Sequence, residues 1–161
     1  MATQAGVRFP ANAAKSFDVV NRLTGDGSTD FGIPGKVAPR DRDAVTASQA
    51  KKLAAFVEAS WKVLDKVAQG APAKLRKGPR GGGRDRDPIV QHVAEAEGAY
   101  ASKMGIKPSQ VDELRAVILD VLRQPSDGKP LRPKGWPQRY AARRIAWHAI
   151  DHAWEIEDKS T

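Results

Sequence analysis

The sequence contains no cysteine among its 161 residues. The absence of cysteine excludes disulfides, thiolate metal sites and a cysteine nucleophile. The sequence also lacks any uncharged apolar stretch that approaches the roughly 20 residues of a membrane-spanning helix. Residues 1–6 lack the basic stretch and apolar run that are typical of a signal peptide. We therefore expect a cytoplasmic protein without a membrane segment.

The charge is strongly basic but dispersed. The formal net charge is +8, from 27 Lys and Arg residues against 19 Asp and Glu residues. Clustered basic residues can neutralise phosphates, so this charge raises a nucleic-acid hypothesis. The main concentrations lie in connectors rich in glycine and proline, such as residues 74–84 (KLRKGPRGGGR), and no recognisable nucleic-acid-binding module is visible. We therefore expect no specific nucleic-acid partner.

The length fits a single domain that is preceded by an irregular arm. Residues 1–45 show little hydrophobic periodicity and contain several turn signals. We expect this stretch to be an irregular N-terminal arm that packs against the rest of the chain. Residues 46–161 carry the periodic segments and constitute the predicted folded unit.

Four amphipathic helices are predicted in this unit. Thr46 and Gln49 have the spacing of a capping box at the start of the first helix. Asp87 followed by Pro88 predicts the start of the second, and Ser109 with Asp112 the start of the third. The predicted helices cover approximately residues 47–68, 88–104, 109–124 and 138–157. Helices of these lengths bury one another most simply as a bundle, so the predicted fold class is all-α, a four-helix bundle.

The three histidines of the chain are all predicted to face inward. His92 lies about 60° from the centre of the apolar face of the second helix, and His148 and His152 lie one turn apart on the buried face of the fourth. Residues at i and i+4 are about 5–6 Å apart at Cβ, so two imidazoles can bind one ion at about 2.0–2.1 Å from each nitrogen. A third imidazole from a facing helix leaves one coordination position open, as in catalytic sites.

An alternative interpretation is that these histidines are ordinary core residues. A lone histidine on an apolar face is more often a satisfied core residue than a ligand, and the spacing of the pair can arise by chance. Burying imidazoles without partners, however, costs about 1–3 kcal/mol for each unsatisfied group. One divalent metal ion would satisfy a nitrogen on each ring. His92, His148 and His152 are therefore the candidate metal ligands.

Two segments carry a resemblance to a known family. Residues 142–158 (ARRIAWHAIDHAWEIED) contain a His-x-x-x-His pair in the last predicted helix, and residues 82–97 (GGRDRDPIVQHVAEAE) contain a histidine early in the second. This arrangement resembles the DinB superfamily, and the resemblance covers about residues 46–158. It implies a DinB-like four-helix bundle in which His92, His148 and His152 bind one divalent metal ion, most often zinc or nickel.

The resemblance also suggests a class of activity. It implies a metal-dependent, thiol-dependent transferase or a hydrolase that acts on a small molecule, while the substrate and the reaction stay open. The alternative is a non-enzymatic binding or scaffold module, in which a structural metal or a histidine cluster stabilises the bundle.

One feature departs from the family pattern. The DinB bundle commonly runs up-down-down-up, which needs a long crossing between the second and third helices. Only residues 105–108 separate these two predicted helices here. The third helix is therefore expected either to fold back antiparallel to the second or to dock in a different way.

Two carboxylates are candidates for a role beside the metal. Glu155 lies on the same side of its helix as His148, and Glu95 follows His92 by three residues. Either could act as a base. A carboxylate that accepts a ring N–H or faces solvent is an equally good interpretation.

An aromatic stripe lies on the face of the fourth helix opposite the histidines. It consists of Tyr140, Trp147 and Trp154 at seven-residue steps. A second apolar stripe on one helix requires a cover. The N-terminal arm, with Phe9, Phe17 and Phe31, is the first candidate, and a homodimer contact is the second.

Overall fold

Helices are the regular secondary structure of the described part of the chain. The computed structural model describes residues 18–78 and 81–160, together with Gly6 and residues 12–15. Within these ranges the chain has four α-helices and no β-strand, which confirms the predicted all-α class. The helices are α1 Ala47–Gly70, α2 Arg86–Lys103, α3 Leu114–Leu122 and α4 Gln138–Lys159. None of the helices in the described ranges has the length and apolar character needed to cross a bilayer.

The capping box predicted for α1 is present. The Gln49 backbone N–H donates to Thr46 Oγ1 at 3.3 Å, and the Thr46 backbone N–H donates to Gln49 Oε1 at 3.0 Å. These two bonds satisfy backbone donors that a helix start leaves free. The helix ends at Gly70, two residues beyond the predicted end.

The predicted start of α2 at Asp87 is wrong. The N-cap residue is Asp85, and Asp87 lies inside the first turn, where it pairs with Arg86. The Asp85 carboxylate accepts from the Leu75 backbone N–H at 3.3 Å and pairs with Lys77 at 2.7 Å, so it ties the helix start to the preceding connector. Proline is tolerated throughout a first turn, because the N–H groups there lack helical partners. Pro88 therefore did not determine the first helical residue.

The predicted start of α3 at Ser109 is also wrong. Pro108–Gln110 forms a short 3-10 turn, and Val111 has extended backbone geometry that interrupts the expected helix. The α-helix begins only at Leu114. Residues 104–113 therefore connect α2 to α3, a longer connection than residues 105–108.

This connection returns along α2 before α3 begins. Pro108 packs over Gly98, where an added Cβ would lie 3.9 Å from the proline ring, and Arg115 pairs with Glu97. The far end of α3 is fixed beside the start of α4, because the Gln138 side-chain N–H donates to the Leu122 carbonyl at 2.7 Å. The third helix therefore does not fold back antiparallel to the second. It runs in the same direction.

The remaining helix directions follow from contacts at the ends. The Arg139 guanidinium, at the start of α4, donates to the Ala44 carbonyl just before α1, and the Arg76 backbone N–H, after α1, donates to the Lys159 carbonyl at the end of α4. These contacts make α4 parallel to α1. The Trp136 backbone N–H, before α4, donates to the Lys103 carbonyl at the end of α2, so α2 is antiparallel to both. The four helices run up-down-down-up.

A buried ion pair joins three of the helices. Glu97 in α2 is only 4% exposed. The Arg115 guanidinium of α3 donates to both of its carboxylate oxygens at 2.9 Å and also pairs with Asp65 of α1 at 3.1 Å. The same guanidinium lies 5.0 Å from the centre of the Trp61 ring. The helical pattern of the sequence had not singled out Glu97.

The N-terminal arm covers the beginning of the aromatic stripe. The Tyr140 hydroxyl donates to the Gly35 carbonyl at 3.0 Å, and Tyr140 is buried. The buried Asp41 carboxylate of the arm pairs with Arg143 on α4. Trp154 is 62% exposed. Phe9 and Phe17 lie outside the described residues, and the homodimer contact through the stripe stays a prediction, with Trp147 and Trp154 as its accessible part.

Replacing Arg115 with alanine should destabilise the bundle by about 3 kcal/mol. This is the lower end of the range for breaking a buried pair, since Arg115 is partly exposed and its loss would let water reach the Glu97 carboxylate. Urea unfolding followed by circular dichroism measures the change. Arg123→Ala, which removes only an exposed pair with Asp120, is the matched control, with an expected effect below about 1 kcal/mol. Equal losses in the two variants would contradict a special role for Glu97.

Tyr140→Phe should loosen the arm without unfolding the bundle. The variant removes the hydrogen bond to Gly35, which contributes about 1 kcal/mol. Hydrogen–deuterium exchange should then become several-fold faster in residues 33–41, while exchange within α1 and α4 stays unchanged. Unchanged exchange in the arm would show that other contacts hold it in place.

Candidate metal centre

The three histidines meet between α2 and α4. His148 and His152 are each 7% exposed, and His92 is half-buried. The ring centres are 4.6 Å apart for His148 and His152, and 5.0–5.2 Å apart for His92 and each of the others. One ligand nitrogen from each ring lies within 4.8 Å of the other two. The three side chains are therefore close enough to hold one metal ion.

The composition of α4 explains how these rings reach the interior. After Tyr140, the buried apolar residues of α4 are four alanines and two isoleucines. They are Ala141, Ala142, Ile145, Ala149, Ala153 and Ile156. Small side chains leave room for imidazoles on the same face and for a neighbouring helix to approach. His148 and His152 occupy that room, one turn apart.

The geometry of the α4 pair fits shared coordination. The Nε2 atoms of His148 and His152 are 3.2 Å apart. Two nitrogens bound tetrahedrally at 2.0–2.1 Å would be about 3.3 Å apart. This separation therefore agrees with two lone pairs that point to one ion.

Glu155 determines which nitrogen of His152 is free. The His152 Nδ1 atom lies 2.8 Å from the Glu155 carboxylate. Burial opposes ionisation of Glu155, but hydrogen bonds from Lys159 and His152 outweigh it and hold the pKa of this carboxyl below its ordinary value. An ionised carboxylate only accepts, so Nδ1 carries a proton, and the neutral tautomer that fits this contact has its lone pair on Nε2. A carboxylate that orients a histidine in this way is common at metal sites.

His148 and His92 are held neutral by their surroundings. Burial, followed by the neighbouring His152 and His92, lowers the pKa of His148 to about 3. Burial, followed by Arg84 and His152, also lowers the pKa of His92. Neutral imidazole is the form that binds a metal. Both rings therefore present a lone pair at neutral pH.

A hydrogen-bonded cluster is the alternative to a metal. His148 Nε2–H could donate to the bare Nε2 of His152, which would extend the contact with Glu155 into a chain. Both arrangements use His148 Nε2, so either one leaves His148 Nδ1 buried without a partner among the described residues. The hydrogen-bonded chain, however, leaves His92 without a hydrogen bond to either ring. A metal ion would use a nitrogen from all three rings, and the residues therefore fit such an ion.

The two candidate carboxylates have different places. Glu155 contacts His152, which agrees with its interpretation as an acceptor of a ring N–H. Glu95 is exposed and accepts from the Gln91 side chain at 2.8 Å. Glu95 is therefore not part of the cluster.

An open cleft lies beside the histidines. Its volume is about 380 Å³, within the range of about 300–1,000 Å³ that is usual for small-molecule sites. Besides the three histidines, it is lined by Phe31 and Ile33 of the arm, Ala96 and Tyr100 of α2, and Arg144, Trp147 and Asp151 of α4. The predicted placement of Trp147 opposite the histidines is therefore wrong, since its ring centre lies 6.1 Å from that of His148. Tyr100 and Arg144 were missed by the sequence analysis. The signal that could have found them is helical spacing, because Arg144 precedes His148 by one turn and Tyr100 follows His92 by about two.

Glu155→Gln should weaken metal binding by roughly 10–100-fold, because the neutral amide no longer favours the Nδ1–H form of His152. Competition with a chromophoric zinc chelator measures the affinity. Glu95→Gln is the matched control, since it makes the same substitution on the exposed side of α2. An unchanged affinity in Glu155→Gln would show that its contact with His152 does not orient a ligand.

Comparison with known protein families, curated proteins and solved structures finds no significant match to this chain. The DinB-like assignment therefore stays a prediction, and the functional argument depends on the geometry of the centre itself.

Proposed function

We propose that this chain is a DinB-like, metal-dependent enzyme that acts on a small molecule. His92, His148 and His152 would hold one divalent ion, zinc or nickel. The single observation that carries the proposal is the 3.2 Å separation of the two Nε2 atoms of α4, with His152 oriented by Glu155 and His92 facing both rings.

The order of the helices supports the DinB-like type. The resemblance implies an up-down-down-up bundle with one ligand on the second helix and two on the fourth. The end contacts of the four helices give that order of directions. The connection formed by residues 104–113 removes the objection that the crossing between the second and third helices is too short.

The number of ligands and the cleft favour an enzyme over a structural site. Closed structural zinc sites use four protein ligands, whereas the cluster in the described residues offers three. A bound divalent ion supplies Lewis-acid chemistry towards a thiol, a water or a carbonyl group. Ile33 and Trp147 line the adjoining cleft. Transfer to or from a thiol, or hydrolysis, is the reaction class that the resemblance implies.

The second candidate is a binding or scaffold module with a structural metal. It shares the histidine cluster but makes no use of the cleft. Removal of the metal by a chelator would then lower the melting temperature without changing the binding of any small molecule. The cytoplasmic location expected from the sequence belongs to either proposal.

The metal is tested first. Protein purified without a nickel column should contain about one divalent ion per chain by elemental mass spectrometry, and His148→Ala should lose it. Glu95→Gln should keep it, because Glu95 is exposed and contributes no ligand to the cluster. A preparation that contains no bound metal and binds no added zinc, nickel or manganese would contradict the proposal. The histidines would then be ordinary core residues.

A further inference from the structure

Arg144 is held between two aromatic rings in the wall of the cleft. The carbon at the centre of its guanidinium lies 5.0 Å from the centre of the Trp147 ring and 5.6 Å from that of the Tyr100 ring. Cation–π contacts with two rings restrict the position and the plane of the group. The guanidinium is therefore placed before any ligand arrives.

The hydrogen-bonding capacity of this guanidinium is unused. Arg144 donates no hydrogen bond and forms no ion pair with another residue of the described ranges, and its Nη1 atom is buried without a partner. By contrast, Arg115, Arg139 and Arg143 each donate to carboxylates or carbonyls. A buried N–H without an acceptor costs about 1–3 kcal/mol. A positioned arginine with open donors is suited to receive an anion.

Among the described residues, no carboxylate forms an ion pair with Arg144. Glu155 is engaged with His152 and Lys159. Asp151, two turns along α4, is an exposed residue that lines the same cleft without pairing with Arg144. A cation bound by the histidines would add to the positive charge, so the cleft would favour an anionic ligand at short range.

Arg144 is also within reach of the histidine cluster. It precedes His148 by four residues on α4, which places the two Cβ atoms about 5–6 Å apart. The Tyr100 ring lies against both side chains, with its centre 5.6 Å from that of the His148 ring. One small molecule could therefore contact the guanidinium and the centre at the same time.

We propose that Arg144 binds the carboxylate of a small-molecule ligand whose other end carries a group that coordinates metal, such as a thiol. The planar guanidinium can donate two parallel N–H groups to a carboxylate, which is the strongest common arrangement for this pair. Tyr100 and Trp147 hold the plane of the guanidinium, so a lysine could not take the place of Arg144. This substrate class rests on the proposed metal centre, whereas the anion site does not.

The probe is mercaptoacetate, compared with mercaptoacetamide, which keeps the thiol but has no negative charge. Both are titrated into the full chain, metal-free and loaded with cobalt. Nitrogen-15 NMR follows the side-chain signals of Arg144 and Trp147, and the cobalt spectrum follows thiol coordination. Arg144→Gln and Arg144→Lys are the test variants. Arg123→Gln is the control, because Arg123 is exposed and pairs only with Asp120 among the described residues.

We expect the wild-type and Arg123→Gln proteins to prefer the carboxylate probe, and Arg144→Gln to reduce this preference about tenfold or more. Arg144→Lys should lie between them. Circular dichroism establishes that the variants are folded. In the metal-free wild type, mercaptoacetate should still shift the Arg144 signals, and mercaptoacetamide should not.

Two outcomes separate this inference from the proposed function. Metal binding with the same probe preference in wild-type and Arg144→Gln proteins would overturn the anion site and leave the metal centre standing. A chain that takes no metal but still shows carboxylate shifts at Arg144 would retain the anion site and remove the metal-dependent function. If neither cobalt-loaded nor metal-free protein distinguishes the two probes, the inference is wrong.

Discussion

The placement of the last two helices depends on the ion pair between Glu97 and Arg115. A carboxylate buried between helices destabilises a fold unless a cation is held against it. Because Glu97 lies within α2, the chain has to return along that helix to bring Arg115 there. The nine residues of α3 are too few for an independent helix, so tertiary contacts determine where it lies. The end of α3 in turn positions α4 through Gln138, which bridges the carbonyls of Leu122 and Gln124.

The opposite directions of α2 and α4 order the groups along the cleft. His92, near the start of α2, faces His148 and His152 in the second half of α4. Tyr100, about two turns after His92 on α2, faces Arg144, which lies one turn before His148 on α4. The imidazoles and the guanidinium are therefore neighbours along one pair of helices. A ligand with a metal-binding end and an anionic end matches this order in only one orientation.

Local sequence patterns predicted the features that depend on a single helix. They failed for residues whose position depends on contacts between two segments of the chain. The start of α1 and the α4 histidine pair follow from capping and from spacing within a helix. The start of α2 does not follow from local sequence, because aspartate at position 85 or 87 can cap a helix. The contact of Asp85 with Leu75 decides between the two positions. The burial of Glu97 depends on its partner Arg115 on α3, which no pattern within α2 reveals. The position of Arg144 beside Tyr100 likewise depends on how two helices are rotated against each other.

The N-terminal arm is attached to α4 through Tyr140 and Arg143, but its contribution to the cleft comes from Phe31 and Ile33. Phe31 is 85% exposed, so its replacement removes little buried surface from the fold. The outer wall of the cleft and the histidine cluster are thus encoded in separate stretches of sequence. Substitutions in the arm can alter the shape that a ligand meets while the helices and their imidazoles stay as they are. The wall of the cleft and the histidine cluster are therefore free to diverge independently during evolution.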